Sequence, residues 1–121
     1  MKTRATGQLG EKLAQDFLKD RGYQIIGTNY HSPDGEMDII ASKDGVIVFA
    51  EVRAKSNRNF GSPEESITMR KKKKLVLVAQ DYVQKHDLKE TPWRIDFIAV
   101  DLDGSGKALR IEQIENAVGD E

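Results

Sequence analysis

Lys43-Asp44-Gly45 separates two runs of largely apolar residues, Gly35 to Ser42 and Val46 to Ala54, and this pairing constrains the fold more than any other feature of the chain. An Asp-Gly turn between two apolar runs is a strong signal for a β-hairpin. Strands are therefore expected over about 36–42 and 46–54. Two acids interrupt them, Asp38 in the first and Glu51 near the end of the second. With the turn centred on Asp44, Asp38 lies six residues before it and Glu51 seven after, so the two come nearly level.

Side chains alternate between the two faces of a strand. Val46, Val48, Ala50, Val52 and Ala54 share one face, while Ile47, Phe49, Glu51, Arg53 and Lys55 share the other. The second face starts apolar and ends in a carboxylate and two cations. A buried carboxylate costs several kcal/mol unless it is paired or binds a metal. A site at the carboxyl end of this strand is the reading that follows. A second carboxylate on the neighbouring strand makes two hard oxygen donors, which suit Mg²⁺ or Mn²⁺.

The remaining elements are read from periodicity. Leu9, Leu13, Ala14, Phe17 and Leu18 recur at helical spacing over about 4–21, ending at Arg21-Gly22. A strand begins at Tyr23 and ends near Tyr30, followed by a turn cluster, His31 to Gly35. Residues 57–61 read as a loop. Ser62, Pro63 and Glu65 form a capping-box start for a helix that runs to about residue 86, with Ile67, Leu75, Val78, Ala79 and Tyr82 on its apolar face. Strands follow over 93–102 and near 108–114, joined by an Asp-Gly-Ser-Gly turn. The order α-β-β-β-α-β-β in 121 residues predicts one α/β domain, a five-stranded sheet flanked by helices.

Composition narrows the functional classes. The chain has no cysteine, which excludes disulfides, thiolate zinc sites and a cysteine nucleophile. Its two histidines, His31 and His86, are isolated. Nineteen basic against 20 acidic residues supply no overall field for a polyanion, but Arg70-Lys71-Lys72-Lys73-Lys74 is a local cationic block. No run approaches the roughly 20 apolar residues of a membrane span, and the amino terminus lacks a signal-peptide core, so a cytoplasmic protein without a membrane partner is expected.

Three acids, Glu11, Asp38 and Glu51, are expected to converge and hold a metal, with Arg53 or Lys55 close enough to contact attacking water or the charged transition state. Each has a plainer alternative: Asp38 as a turn or cap residue, Glu51 as the partner of Arg53 or Lys55, Glu11 as a solvated helix acid. Glu36, two residues before Asp38, is expected on its face. The block Arg70, Lys71, Lys72 and Lys74 reads either as a solvated helix face or as a patch that neutralises nucleic-acid phosphates, extended by Arg4, Lys55 and Arg58.

The pattern Gly35-Glu36-Met37-Asp38 followed by Glu51-Val52-Arg53 resembles the PD-(D/E)xK signature of restriction-endonuclease-like nucleases. Nearly the whole chain resembles the YraN family of bacterial proteins, through Gly7 to Ala14, Asn29-Tyr30, Gly35 to Ala41, Val48 to Arg53, Phe60 to Pro63, Arg94 to Phe97 and Glu115 to Ala117. The resemblance implies a restriction-endonuclease-like three-layer fold with a central mixed sheet, and an active site similar to that of archaeal Holliday-junction resolvases. It implies metal coordination by Asp38 and Glu51, with Glu11 from the first helix. Pro33-Asp34 resembles the proline-acid pair, but its placement favours Asp38 as the ligand. The family usually has lysine where this chain has Arg53, and arginine is no substitute as a tunable donor or base. Two functions therefore remain open: an Mg²⁺- or Mn²⁺-dependent nuclease on structured or branched DNA, and a catalytically silent module that binds nucleic acid or a protein partner. The resolvase likeness also implies a homodimer, for which Phe60, Ile67 and Met69 offer apolar surface.

Overall fold

The computed structural model describes residues 4–56 and 67–118. They form α1 (Arg4–Asp20), β1 (Gln24–Ser32), β2 (Gly35–Lys43), β3 (Val46–Lys55), α2 (Met69–Lys85), β4 (Trp93–Leu102) and β5 (Ala108–Ile114), the expected order. The segment 57–66, with Arg58, Phe60 and the Ser62-Pro63-Glu65 capping box, lies outside the described residues, as does the Arg4 side chain.

Asp44 and Gly45 take left-handed backbone angles, φ 52° and 80°, which a two-residue hairpin loop requires to match the twist of its strands. Lys43 pairs with Val46 across that loop. The five strands lie in sequential order. Neighbours are antiparallel except β3 and β4, which run parallel. A parallel pair needs a crossover connection, and α2 belongs to it.

The alternation expected in β3 is observed. Val48, Ala50, Val52 and Ala54 pack with Ala14 and Leu18 of α1, while Ile47 and Phe49 pack with Leu75, Val78 and Tyr82 of α2. The sheet thus separates two cores, in a three-layer α/β arrangement. Among the described residues no helix is long and apolar enough to cross a membrane.

α1 lies unusually close to β3. A Cβ added at Gly10 would stand 2.5 Å from the Ala54 Cβ, a separation that real side chains do not adopt. Gly10→Ala should therefore destabilise the chain: overpacking costs about 1–3 kcal/mol against the roughly 1 kcal/mol alanine gains over glycine in a helix. Urea unfolding tests this, and a stabilised variant would show that α1 does not pack so closely.

Two boundaries differ from expectation. β1 continues through His31 and Ser32, which pair with Glu36 and Gly35. His31 is thus a strand residue rather than part of the turn, its Nδ1 3.4 Å from a Glu36 oxygen. The α2 helix begins at Met69, not near Ser62. Thr68 is extended (φ −88°, ψ 162°) and its hydroxyl accepts from the Lys71 N–H at 3.1 Å. Threonine satisfies a helix start by the same chemistry as serine. Ile67 therefore precedes the helix, half-buried against the α2-side core, and Met69 is half exposed on its first turn.

Candidate functional site

The β2–β3 ladder ends with Ile39 against Ala50, so the next level of the hairpin belongs to Asp38 and Glu51. The true centre of the loop falls between Asp44 and Gly45, which removes the one-residue offset of sequence counting. Asp38 does not continue the backbone ladder. Its Oδ2 accepts from the Val52 N–H at 2.7 Å, so a side chain takes over where main-chain pairing stops.

Asn29 explains why Asp38 is free to do so. The β1–β2 ladder passes from Thr28–Ile39 to Tyr30–Met37 and skips the level between them, where Asn29 stands opposite Asp38. Asn29 is left-handed, φ 51°, a conformation that asparagine tolerates better than most residues. The break also upsets strict alternation. Ile39 packs in the α1-side core, whereas Met37, two residues away, packs in the α2-side core. The expectation that Glu36 shares a face with Asp38 by simple period-two counting therefore does not carry across this break. With its amide nitrogen turned towards the acids, Asn29 donates to Glu11 Oε1 at 3.2 Å and to Glu36 Oε1 at 3.1 Å. Asn29→Gly should keep the backbone turn and most of the stability. Asn29→Val should cost about 1–3 kcal/mol through strain. Equal melting temperatures for the two variants would contradict a backbone role for this position.

Glu51 is the electrostatic centre of the region. Its side chain is only 5% exposed, with Arg53 Nη2 at 3.2 Å and Lys71 Nζ at 3.6 Å, both on Oε2. Burial, followed by the charge of Asp38 and a hydrogen bond between the two carboxyls, pushes the Glu51 carboxyl up to about 8 against the pull of Lys71 and Arg53. Burial and the neighbouring Asp38 thus disfavour ionisation of Glu51, and Arg53 and Lys71 offset only part of that cost. The Arg53 Nε is buried with no acceptor among the described residues, and an unsatisfied buried donor costs about 1–3 kcal/mol. The acid pair thus stands beside two cations, one of which, Arg53, keeps an Nε–H for a further acceptor.

The basic block divides by helix phase. Lys71 reaches Glu51, Lys72 is half-buried, and Arg70, Lys73 and Lys74 are exposed. The first turn of α2 contains no acid. Cations there oppose the helix dipole, at roughly 0.3–1 kcal/mol each when exposed. Lys71 occupies the third helical position, where a capping box would place Glu or Gln. Sequence reasoning grouped Lys71 with phosphate-binding lysines and missed its contact with Glu51. Its place three residues after a threonine was the available signal.

Lys55 follows Arg53 on the same strand face and is level with Asp101 of β4. Asp101 is fully buried and accepts from Arg110 Nε at 2.7 Å. Glu11 is joined to this region through Asn29. Among the described residues, no three His, Cys, Asp or Glu side chains gather closely enough to hold a metal. The donors that stand together are the pair Asp38 and Glu51. Two neighbouring carboxyl groups offer hard oxygen donors that suit a divalent ion, since Mg²⁺ commonly binds one or two carboxylates and keeps several waters.

A second acidic centre lies on the α1 side of the sheet. Asp96 of β4 is fully buried. Its Oδ1 accepts from Arg94 Nε and the Asn116 N–H, both at 2.9 Å, and its Oδ2 from Gln113 Nε2 at 2.8 Å. Arg94 and Gln113 also donate to the Tyr23 hydroxyl, at 2.9 and 3.0 Å. Every strong acceptor direction is used, so this carboxylate reads as a structural lock. The sequence singled out Arg94 to Phe97 and Glu115 to Ala117 without showing that these stretches meet.

Comparison with known proteins places the chain among bacterial relatives of matching length. The profile described as "Uncharacterised protein family UPF0102" matches residues 10–100. A UPF0102 protein of Dehalococcoides mccartyi is 49% identical over 116 residues, covering 96% of this chain and 94% of the relative. One from Clostridioides difficile is 41% identical over 117 residues, covering 97% and 99% respectively. One from Moorella thermoacetica is 40% identical over the same number of residues, covering 97% and 98%.

Proposed function

The chain belongs to the UPF0102 (YraN) family, and from the site described above we propose that it is a divalent-metal-dependent nuclease of the restriction-endonuclease-like type, acting on structured or branched DNA. One observation carries the reading. Glu51 is buried, lies beside Asp38, and has its carboxyl pushed up to about 8 despite two adjacent cations. A buried carboxyl whose ionisation is disfavoured beside a second acid and two cations is a functional-site candidate.

Asp38 and Glu51 would hold Mg²⁺ or Mn²⁺, which when bound supplies an acidified water and charge to offset the phosphate. Asp38 is oriented for this by the Val52 N–H. Glu11 and Glu36, bridged by Asn29, add negative charge behind the pair. The unsatisfied Nε of Arg53 is a ready donor for a phosphate oxygen, and guanidinium–phosphate pairs are strong, charge-assisted contacts. Lys55 extends the cationic strip along β3, and Arg70, Lys72 and Lys74 at the start of α2 would hold the DNA backbone without reading its sequence. Arg53 cannot serve as a base, so the expected chemistry is slow.

The test is cleavage of end-labelled duplex, flap and four-way DNA by the full chain with Mg²⁺ or Mn²⁺. Weak wild-type cleavage that Arg53→Lys accelerates on the order of 10²–10³-fold would support the reading, that being what one well-placed donor contributes. If Lys55 carries the role instead, Lys55→Ala should abolish cleavage while Arg53→Lys changes little. Equal inertness of wild type and both variants on every substrate, with either ion, would replace the nuclease with a binding module of the same fold.

A further inference from the structure

Lys71 is the one member of the basic block in contact with the acid pair, at 3.6 Å from Glu51 Oε2. Its position is set from two directions. Thr68 caps α2 through the Lys71 N–H, which fixes the phase of the helix. The Glu51 carboxylate, on β3, receives the ammonium. Nothing about the helix itself favours a lysine there, since its amino end is the positive end of the dipole and the first turn contains no acid. The contact is made with the acid pair across the site, not within α2.

Building on the proposed function, we propose that Lys71 is the resident counter-charge of the site: it occupies Glu51 in the metal-free protein, competes with a divalent ion for that carboxylate, and is released to a DNA phosphate when the ion binds. The side chain is suited to exchange. It is 37% exposed, and a lysine ammonium is a point charge on a flexible stem, with no fixed fork geometry to lose. Arg53 differs. It shares the strand with Glu51 and is 26% exposed, so it remains near the pair whatever occupies it. Release of Lys71 would couple metal loading to DNA binding, and such coupling is reciprocal: what weakens one partner's competitor strengthens the other.

The test is Mn²⁺ binding to the full-length chain by titration calorimetry, comparing wild type, Lys71→Met, Lys71→Gln and the exposed control Lys73→Met. Thermal unfolding of each variant checks that it is folded. Both Lys71 variants should bind Mn²⁺ roughly two- to fivefold more tightly than wild type, the range expected for a half-exposed ion pair. Lys73→Met should shift affinity less, since it removes the same charge from the helix without touching Glu51. The second arm measures binding of four-way DNA with and without Ca²⁺. Lys71→Met should weaken binding more with the ion than without it. Affinity for Mn²⁺ that is unchanged or reduced in both Lys71 variants, with wild type binding normally, overturns the counter-charge role and leaves the acid-pair reading intact. If neither wild type nor any variant binds Mn²⁺, the acid-pair reading fails and the counter-charge role fails with it.

Discussion

Glu51→Gln should abolish divalent-ion binding and DNA cleavage and at the same time stabilise the folded chain at alkaline pH. The functional loss follows from removal of one of two carboxylates. Changing even a supporting residue around a metal typically costs 10–100-fold in affinity or activity, so loss of a ligand should cost on the order of 10²-fold or more. The gain in stability follows from linkage. The Glu51 carboxyl titrates at about 8 in the folded chain against a reference value of 4.5. Below the lower value both states are protonated and the group contributes nothing. As pH rises through this window the unfolded chain gives up its proton and the folded chain holds it, so native stability falls and the full penalty is present above about pH 8. Glutamine keeps the shape without this cost. Arg53 and Lys71 lose a partner, which offsets part of the gain. A net gain on the order of 2 kcal/mol at pH 9 remains, roughly 5–10 °C in melting temperature for a domain of this size. Melting curves at pH 4 and pH 9 decide the point. A variant that melts below wild type at pH 9 would mean that Glu51 is comfortably ionised by its cations, and the acid pair would lose its claim to a metal.

Asp96→Ala should be the most damaging single substitution on the other face of the sheet. Removing one partner of a buried charge pair costs about 3–5 kcal/mol. Here the loss takes an acceptor from the half-buried Arg94 guanidinium, the Gln113 amide and the Asn116 N–H together, leaving Arg94 and Gln113 only their other partners, Tyr23 among them. Domains of this size have about 5–15 kcal/mol in total, so the variant should be marginal at 37 °C. Asp96→Asn keeps the volume and some acceptor capacity and should lose less. Urea unfolding of both variants gives the comparison. A loss below about 1 kcal/mol for Asp96→Ala would show that the cluster is solvated and does not lock β4 to β5 and the Asn116 turn.

Much of this arrangement was legible before any coordinates. Period-two alternation in β3 put Glu51, Arg53 and Lys55 on one face, and they share it. The Asp-Gly loop brought Asp38 level with Glu51, because a two-residue loop leaves almost no freedom of register. Less accessible was Asn29. Its left-handed turn and the break in alternation between Met37 and Ile39 go together with Asp38 leaving the ladder for the Val52 N–H, a contact made across β2 and β3. The start of α2 was misplaced because Ser62 and Thr68 offer the same capping chemistry. Thr68 is the cap that puts Leu75, Val78 and Tyr82 into the core and Lys71 on Glu51.

By itself, then, the sequence determined the layers and the level at which the acids stand, because strand period, helix period and loop length are local properties of the chain. It also determined family membership, through motifs that span nearly its whole length. Tertiary structure alone decided which of five consecutive cations meets Glu51, and that Arg94, Gln113 and Asn116 close around Asp96. It also decided that burial and Asp38 push the Glu51 carboxyl up. Those outcomes depend on distances through space and on the loss of water around a charge, and neither quantity is written in the order of residues along a chain.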